Sequence, residues 1–434
     1  MAEIKVGLIG FGTVGTGLAQ LFYFNGSRLD RRLGAPLRLV RIADKDLKTD
    51  RGLNPPVGVM TASADDILND PEISIVVELI GGLEPAKSII LKAIESGKQV
   101  VTANKALLAT CGNEIFSLAE EKGVGVFFEG AVAGGIPIIR AIREGLAANR
   151  VNTLHAILNG TCNFILTKMF QEKIPFNQAL SQAQAEGLAE ADPSLDVEGH
   201  DTAHKLAILL SVAFGGPLQL EKIPIEGISQ LDPMDLEFAQ DLGYTIKLLA
   251  IARRIDGRIE ARVHPTLISK SHVLAAVSGA FNAIHITAEP VGEVLFYGLG
   301  AGRHPTASAV AGDVIEAARN ARLGLKIRLP NLGQPGRLNE PLILAPIDEL
   351  WTRHYLRLFS VDRPGVLSQI SGILARYNIS IKSVIQKGYG TEAVPIVIIT
   401  HQAREADVRR ALEEMRGLEV LVRPPVHLRI EEEA

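Results

Sequence analysis

The 434-residue sequence predicts an α/β protein of about three domains. A glycine turn follows directly on a short apolar strand at the amino end. Strands then alternate with helices as far as about residue 130, and a compact βαββαβ unit closes the chain. The glycine turn comes first. Ile4–Ile9 is an apolar run that reads as a buried strand, and the spacing from Thr13 to Phe24 is helical. Further strands are predicted over Leu37–Ile42, Ile75–Leu79, Val100–Ala103 and Val124–Phe128, with helices over Ala86–Ser96 and Asn113–Lys122. That alternation calls for a parallel sheet covered on both faces.

Beyond about residue 132 the rhythm changes. Helical spacing over Pro137–Ala148, Ala179–Gly187 and Asp201–Ala213 is mixed with strand-like runs such as Val151–Leu158 and Arg262–Leu267, which predicts a mixed α/β domain. Pro305–Arg322 reads as a long helix that returns to the first domain. Residues 326–350, with four prolines, read as a linker. The last unit runs through His354–Val361 (strand), Val366–Tyr377 (helix), Ile379–Gln386 and Ala393–Thr400 (strands), Ala406–Arg416 (helix) and Val420–Ile430 (strand). The expected organisation is 1–132 plus about 303–325 as a Rossmann-type domain, 133–302 as a catalytic and dimerisation domain, and 351–434 as a ferredoxin-like domain.

Composition narrows the function. Hydrophobic residues make up 47% and charged residues 22%, as in ordinary globular proteins, and a net charge of −4 offers no basic field for nucleic acid. Cys111 and Cys162 are the only cysteines, too few for a disulfide scaffold. The start MAEIKVGLIG lacks the pattern of a signal peptide. The longest apolar stretches, such as Leu206–Phe214, are shorter than the ~18–20 residues a membrane span needs. A cytoplasmic location is the expectation.

Gly10-Phe11-Gly12-Thr13-Val14-Gly15 fits G-x-G-x-x-G between a strand and a helix, which predicts dinucleotide binding. The first glycine permits the turn, the second lets backbone approach a pyrophosphate, and the third permits close packing of helix on strand. The choice of nicotinamide stays open. Asp44 suits the ribose hydroxyl of NAD, while Arg41, Lys45, Lys48 and Arg51 suit the extra phosphate of NADP, and the balance leans to NADP.

The second chemical signal is acidic. Six carboxylates, Glu186, Glu190, Asp192, Asp196, Glu198 and Asp201, precede Lys205. Asp201 and Lys205 share a helix face at i and i+4. Such a group invites a cation, either a substrate ammonium or a divalent metal, and a lysine beside it can exchange a hydroxyl proton. A capped helix start with a surface ion pair is the plain alternative. Cys162 has no histidine near it in sequence and reads as a buried structural thiol rather than a nucleophile.

These residues give the chain a family resemblance. Gly187, Asp192-Pro193, Asp196, Gly199, Asp201 and Lys205 match the signature of homoserine dehydrogenases. Thr102-Ala103-Asn104-Lys105-Ala106, the glycine-rich run Glu129–Pro137, and Asn159-Gly160-Thr161-Cys162-Asn163-Phe164 resemble the same family, and the likeness covers about residues 1–325. It implies interconversion of L-homoserine and L-aspartate 4-semialdehyde with NADP or NAD, a step toward threonine, methionine and isoleucine. It also implies roles. Lys205 would be the proton donor and acceptor, oriented by Asp201, and Lys105 would lie between cofactor and substrate. Glu190 and Asp196 would hold the substrate amino group, near Gly160 and Thr161. Gly302 would approach the cofactor, or be only a turn. The carbonyls of Glu129, Val132, Gly134 and Ile136 would hold a sodium or potassium ion.

The closing unit, with Asp362-Arg363-Pro364-Gly365-Val366-Leu367 and Asn378 after its first helix, resembles an ACT domain. That likeness implies an amino-acid effector, threonine by expectation, bound near Asp362, Gly365, Val366, Leu367 and Asn378. A module that only dimerises is the alternative. A homodimer or homotetramer is expected. Two other readings stay open: a dehydrogenase of another amino-acid-derived alcohol or semialdehyde, and a non-catalytic cofactor-gated sensor.

Overall fold

The computed structural model describes residues 3–325, 327–386 and 393–432. The amino-terminal sheet contains β1 (Ile4–Ile9), β2 (Leu37–Ala43), β3 (Met60–Thr61), β4 (Ile73–Glu78), β5 (Gln99–Thr102) and β6 (Val126–Phe127), all parallel, in the order β3-β2-β1-β4-β5-β6. Connections run outward in opposite directions from β1 and β4, so a crevice opens at the carboxyl ends of those two strands. The helices are α1 (Thr13–Leu33), α2 (Asp65–Leu68), α3 (Ala86–Glu95) and α4 (Lys105–Lys122). β1 begins and ends as the apolar run predicts. α1 continues nine residues past Phe24 because Gly34, left-handed at φ 73°, provides the stop.

Next come α5 (Ile138–Arg140), β7 (Arg150–Ile157), α6 (Gly160–Glu172), α7 (Phe176–Ala185), α8 (Ser194–Val197), α9 (His200–Phe214) and α10 (Pro233–Asp241). β8 (Tyr244–Ile255), β9 (Arg258–Ser269), β10 (Phe281–Glu289), β11 (Gly292–Leu299) and α11 (Arg303–Arg322) follow. The helix expected over 137–148 is instead a single α turn that passes into a π turn over Ala141–Gly145. Residues 303–322 do return to the first sheet. Ala307, Val310 and Val314 of α11 share a core with Leu18, Ala19 and Phe22 of α1.

The carboxyl-terminal unit contains β12 (Trp351–Ser360), α12 (Val366–Arg376), β13 (Ile381–Gln386), β14 (Val394–Thr400), β15 (Ala403–Arg404), α13 (Glu405–Arg416) and β16 (Leu421–Glu431). The predicted βαββαβ order is present, and β15 adds a short pairing with β12. This sheet is not separate from the central one. β16 pairs in parallel with β9, which makes one ten-stranded sheet, β11-β10-β7-β8-β9-β16-β12-β14-β13 with β15 off this path. The acidic end of the chain is part of that seam: Glu431 is buried and bonds to Arg262 at 2.6 Å. No helix among the described residues is long and apolar enough to cross a membrane.

Candidate active site

The glycine turn at the end of β1 divides its work as the motif predicts. A Cβ on Gly10 would lie 2.6 Å from the Leu79 backbone, and φ there is 100°. On Gly15 it would lie 2.1 Å from the Gly10 carbonyl, whereas on Gly12 it would meet nothing within 4 Å. The open side of the turn is thus the Gly12 side, where the start of α1 presents its amides. Beside the turn is a cavity of about 560 Å³ lined by Gly10, Asp44, Lys45, Ile80, Ser88 and Lys92, among others. The turn and the cavity fit a dinucleotide.

Two residues of this region are otherwise engaged. Asp44 accepts the Phe11 amide at 2.6 Å and the Asp46 amide at 2.8 Å, so its carboxylate fixes the turn, and the Phe11 amide is not free for a phosphate. Arg41 donates to the Gly58 carbonyl at 2.7 Å and does not line the cavity, while Lys45 does. Strand position alone does not distinguish these two cations. Gly302, at φ 120°, caps α11, and Gly17 of α1 fits against the neighbouring Arg303.

At the carboxyl end of β5 a short relay fixes Lys105. Buried Glu78 accepts from Thr102 Oγ1 at 2.7 Å, Thr102 Oγ1 accepts the Asn104 amide at 3.0 Å, and Asn104 caps α4 through the Leu107 amide. Lys105 therefore begins a helix rather than sitting in the loop that a helix start at Asn113 predicts, and Asn104 is the capping signal. Its Nζ lies 3.1 Å from Asp201 Oδ1. The charge of Asp201, outweighing partial burial, holds the Lys105 ammonium above its usual range, with Asp196 and Glu190 adding to the effect.

Asp201 and Lys205 sit in the first turns of α9, both buried. Lys205 Nζ donates to Asp201 Oδ2 at 2.6 Å and to the Leu158 carbonyl at 2.7 Å. An ammonium has three hydrogens. Two of them are used by these bonds. Burial acts to raise the Asp201 pKa, but Lys205 and Lys105 together pull it well below the usual carboxylate range. The surface ion pair is thus excluded by burial.

Asp196 lies next to this pair. Burial and the neighbouring Asp201 raise its pKa. Glu190 is exposed, and its charge reaches Lys105. Thr161 Oγ1 donates to the Leu188 carbonyl at 2.7 Å, tying α6 to the acidic segment. A side chain on Gly160 would meet the Ala280 carbonyl at 2.7 Å. Cys162 is fully buried, its Sγ donates to the Asp196 carbonyl at 3.1 Å, and burial pushes the thiol far above its usual range, so it is no nucleophile.

The run from Glu129 makes a tight loop, with Ala133 and Gly134 both at φ 55°. The Glu129 and Ile136 carbonyls accept from Val132 at 3.4 Å and Ile138 at 2.8 Å. The Glu129 carboxylate accepts the Ile139 and Arg140 amides. In the closing unit, Gly365 caps α12 at φ 91°, and a Cβ there would meet nothing within 4 Å. Asp362 and Leu367 are exposed, Asn378 has φ 56°, and Val366 is buried in the core, so only its backbone is available to a ligand. The fold also gathers His155, His272 and His285, which sequence spacing keeps apart. His272 Nδ1 accepts the Leu274 amide, burial lowers the His155 pKa, and His155 Nε2 lies 3.4 Å from Glu431, which pairs with Arg253 and Arg262.

Family models match three segments: "Homoserine dehydrogenase, NAD binding domain" over 10–129, "Homoserine dehydrogenase" over 137–315, and "ACT domain" over 354–420. A homoserine dehydrogenase of Pseudomonas aeruginosa is 46% identical over 437 residues, covering all of both chains. The chain belongs to the homoserine dehydrogenase family. Its members are nicotinamide-dependent oxidoreductases acting on a CH–OH group, and this one carries an ACT domain. Among solved structures, a homoserine dehydrogenase from Thiobacillus denitrificans is 47% identical. Its TM-score is 0.94, over 100% of this chain and 99% of that one. A hyperthermophilic archaeal homoserine dehydrogenase in complex with NADPH is 30% identical, with a TM-score of 0.62 over 73% of this chain and 98% of that one.

Proposed function

We propose that the protein interconverts L-homoserine and L-aspartate 4-semialdehyde, with Lys205 exchanging the hydroxyl proton and Lys105 completing the charge around Asp201. The observation that carries this reading is Asp201 held between two lysines, 2.6 Å from Lys205 and 3.1 Å from Lys105. Asp196 and Glu190 hold the substrate ammonium, and Gly160 and Thr161 line its place. In the reductive direction the Lys205 ammonium donates its proton to the oxygen as negative charge develops there. In the oxidative direction the neutral amine accepts that proton. The nicotinamide, held at Gly12, Thr13, Val14 and Gly302, supplies hydride transfer when bound.

NADP is the preferred cofactor in this reading, with Lys45 rather than Arg41 facing the extra phosphate. Both oxygens of Asp44 already accept amides, which weakens the case for a ribose hydroxyl there. A sodium or potassium ion is held by the main-chain carbonyls of Glu129, Val132, Gly134 and Ile136, where two left-handed residues fold the loop back. Threonine binds the ACT domain at the open Gly365 turn with Asp362, Leu367 and Asn378 and restrains activity. The assembly is a homodimer or homotetramer in the cytoplasm, with the domains divided as the sequence predicts.

Absorbance at the reduced-nicotinamide band tests the reading, using L-homoserine with NADP⁺ or NAD⁺ at alkaline pH. Homoserine-dependent growth of the band is expected, faster with NADP⁺ and reduced at least a hundredfold in Lys205→Ala, as for loss of a general acid–base group worth about 10²–10⁴. Folded protein that gives a flat trace with both cofactors overturns it.

A further inference from the structure

Asn159 stands between β7 and α6 and is buried. Its Oδ1 accepts the Cys162 amide at 2.8 Å, which caps α6 and fixes which way the side-chain amide faces. Nδ2 must then point away from the helix, toward the acidic segment. There it donates to Asp196 Oδ1 at 2.7 Å and to Asp201 Oδ2 at 2.9 Å. Each hydrogen of the NH₂ group serves one carboxylate. Buried Asp201 and half-buried Asp196 repel each other as anions this close, and a shared donor relieves part of that cost.

We propose that Asn159 is a positioning residue, whose amide holds the ammonium-binding Asp196 at a fixed separation from Asp201, the carboxylate that orients Lys205. The proposal rests on the roles given to Asp196, Asp201 and Lys205 above. Geometry gives it three supports. Asp201 Oδ2 is shared by Lys205 and Asn159, leaving Oδ1 to Lys105, so three elements fix one carboxylate. Asp196 takes a side-chain hydrogen bond from Asn159, and the Cys162 thiol holds its main-chain carbonyl. A Cβ on Gly160 would lie 2.7 Å from the Ala280 carbonyl, so the turn that presents Asn159 is closely packed on that side.

The charged groups acting on Asp196 are Asp201 on α9, which opposes its ionisation, and Lys205 and Lys105, which favour it. The Asn159 hydrogen bond also favours the ionised form. Removing that bond moves Asp196 to a higher pKa. A carboxylate that must be ionised to receive an ammonium then becomes competent only at higher pH.

The cap and the bridge separate by substitution. Serine and aspartate both cap helices. Asn159→Ser keeps the cap and is too short to bridge, while Asn159→Asp keeps shape and cap but brings a third carboxylate. The expected result for both is a loss of about tenfold to a hundredfold in kcat/KM for L-homoserine, the worth of a hydrogen bond to a charged group. The KM for NADP⁺ stays close to the parent value in both variants. The thermal midpoint stays close to the parent value in Asn159→Ser and falls in Asn159→Asp, where a third carboxylate adds repulsion. In Asn159→Ser the acid limb of the pH profile moves to higher pH. Parent-like KM, kcat and acid limb in Asn159→Ser overturn the proposal, as does a loss confined to thermal stability. If the parent protein binds NADP⁺ yet does not oxidise homoserine, the functional reading fails. The bridge is then judged by a crystal structure of Asn159→Ser, in which an unchanged Asp196–Asp201 separation overturns it.

Discussion

Asp201 receives hydrogen bonds or ion pairs from Asn159, Lys205 and Lys105, three residues that the sequence separates by up to about a hundred positions. One of these partners is readable from spacing, because Lys205 is four residues along the same helix. Lys105 comes from family likeness and strand position. Asn159 carries only a local signal, that of an N-cap, and nothing local says where its free NH₂ points. Lys247 has no local signal at all. It is buried on β8 and donates to Asn163 Oδ1 at 3.2 Å and to the Val277 carbonyl, holding the 277–281 loop against the start of α6. Burial lowers its pKa to about 8. The folded chain therefore binds the proton more weakly than the unfolded chain, whose lysine titrates near 10.4. Stability should rise as pH increases from about 8 to about 10.4, because the unfolded state binds more protons over that interval. In Lys247→Met this rise should shrink by about 2–3 kcal/mol, as measured by urea unfolding across that range. An unchanged slope would show that Lys247 is not the buried base responsible.

Elements whose signal is local match the sequence reading closely. β1, α3 and the strands of the closing unit fall within about two residues of their predicted limits at nearly every end. Elements set by tertiary contacts do not. β3 is two residues long and exists only as a partner of β2, and the π turn after α5 departs from helical spacing that reads as continuous. The glycine turn lies between these cases. Its motif is visible in sequence, but which glycine faces open space needs coordinates. Gly15 is the most constrained, since a Cβ would lie 2.1 Å from the Gly10 carbonyl, a backbone atom that cannot move aside without reshaping the turn. Gly15→Ala should therefore push α1 off β1 and misplace the amides that face the phosphates. A fluorescence titration with NADPH should show affinity reduced at least tenfold, with secondary structure by circular dichroism retained. Parent-like affinity would mean that the phosphates do not depend on this packing.

At the scale of the whole molecule, the ACT domain and the central domain share one sheet through β9 and β16. Ion pairs reinforce the seam, buried at Arg357–Asp235 and half-exposed on the Glu226 side. Arg357 grips Asp235 of α10 at 2.6 and 2.8 Å, and Arg429 grips Glu226 at 2.8 Å through both nitrogens while also bonding Glu405. No composition or periodicity argument could place the Arg357–Asp235 and Arg429–Glu226 contacts, because each joins residues more than a hundred positions apart. Glu226 stands next to the segment that carries Asp196. Its amide bonds the Val263 carbonyl, and the Ile228 amide bonds the Val197 carbonyl. A Cβ on Gly227 would lie 2.4 Å from that same Val197 carbonyl, one residue from Asp196. A movement of β16 when an amino acid binds the ACT domain would thus pass through Arg429 and Glu226 to the segment that carries Asp196. Glu226→Gln keeps the shape and removes the charge that Arg429 grips, while Arg429 retains Glu405. If this contact carries the coupling, the concentration of threonine needed for half-inhibition should rise at least fivefold, the lower end of ordinary allosteric coupling. Uninhibited kcat/KM should stay within about twofold, since Glu226 touches neither lysine nor Asp196. Unchanged inhibition in Glu226→Gln would assign the signal to the Arg357–Asp235 contact or to the shared strands.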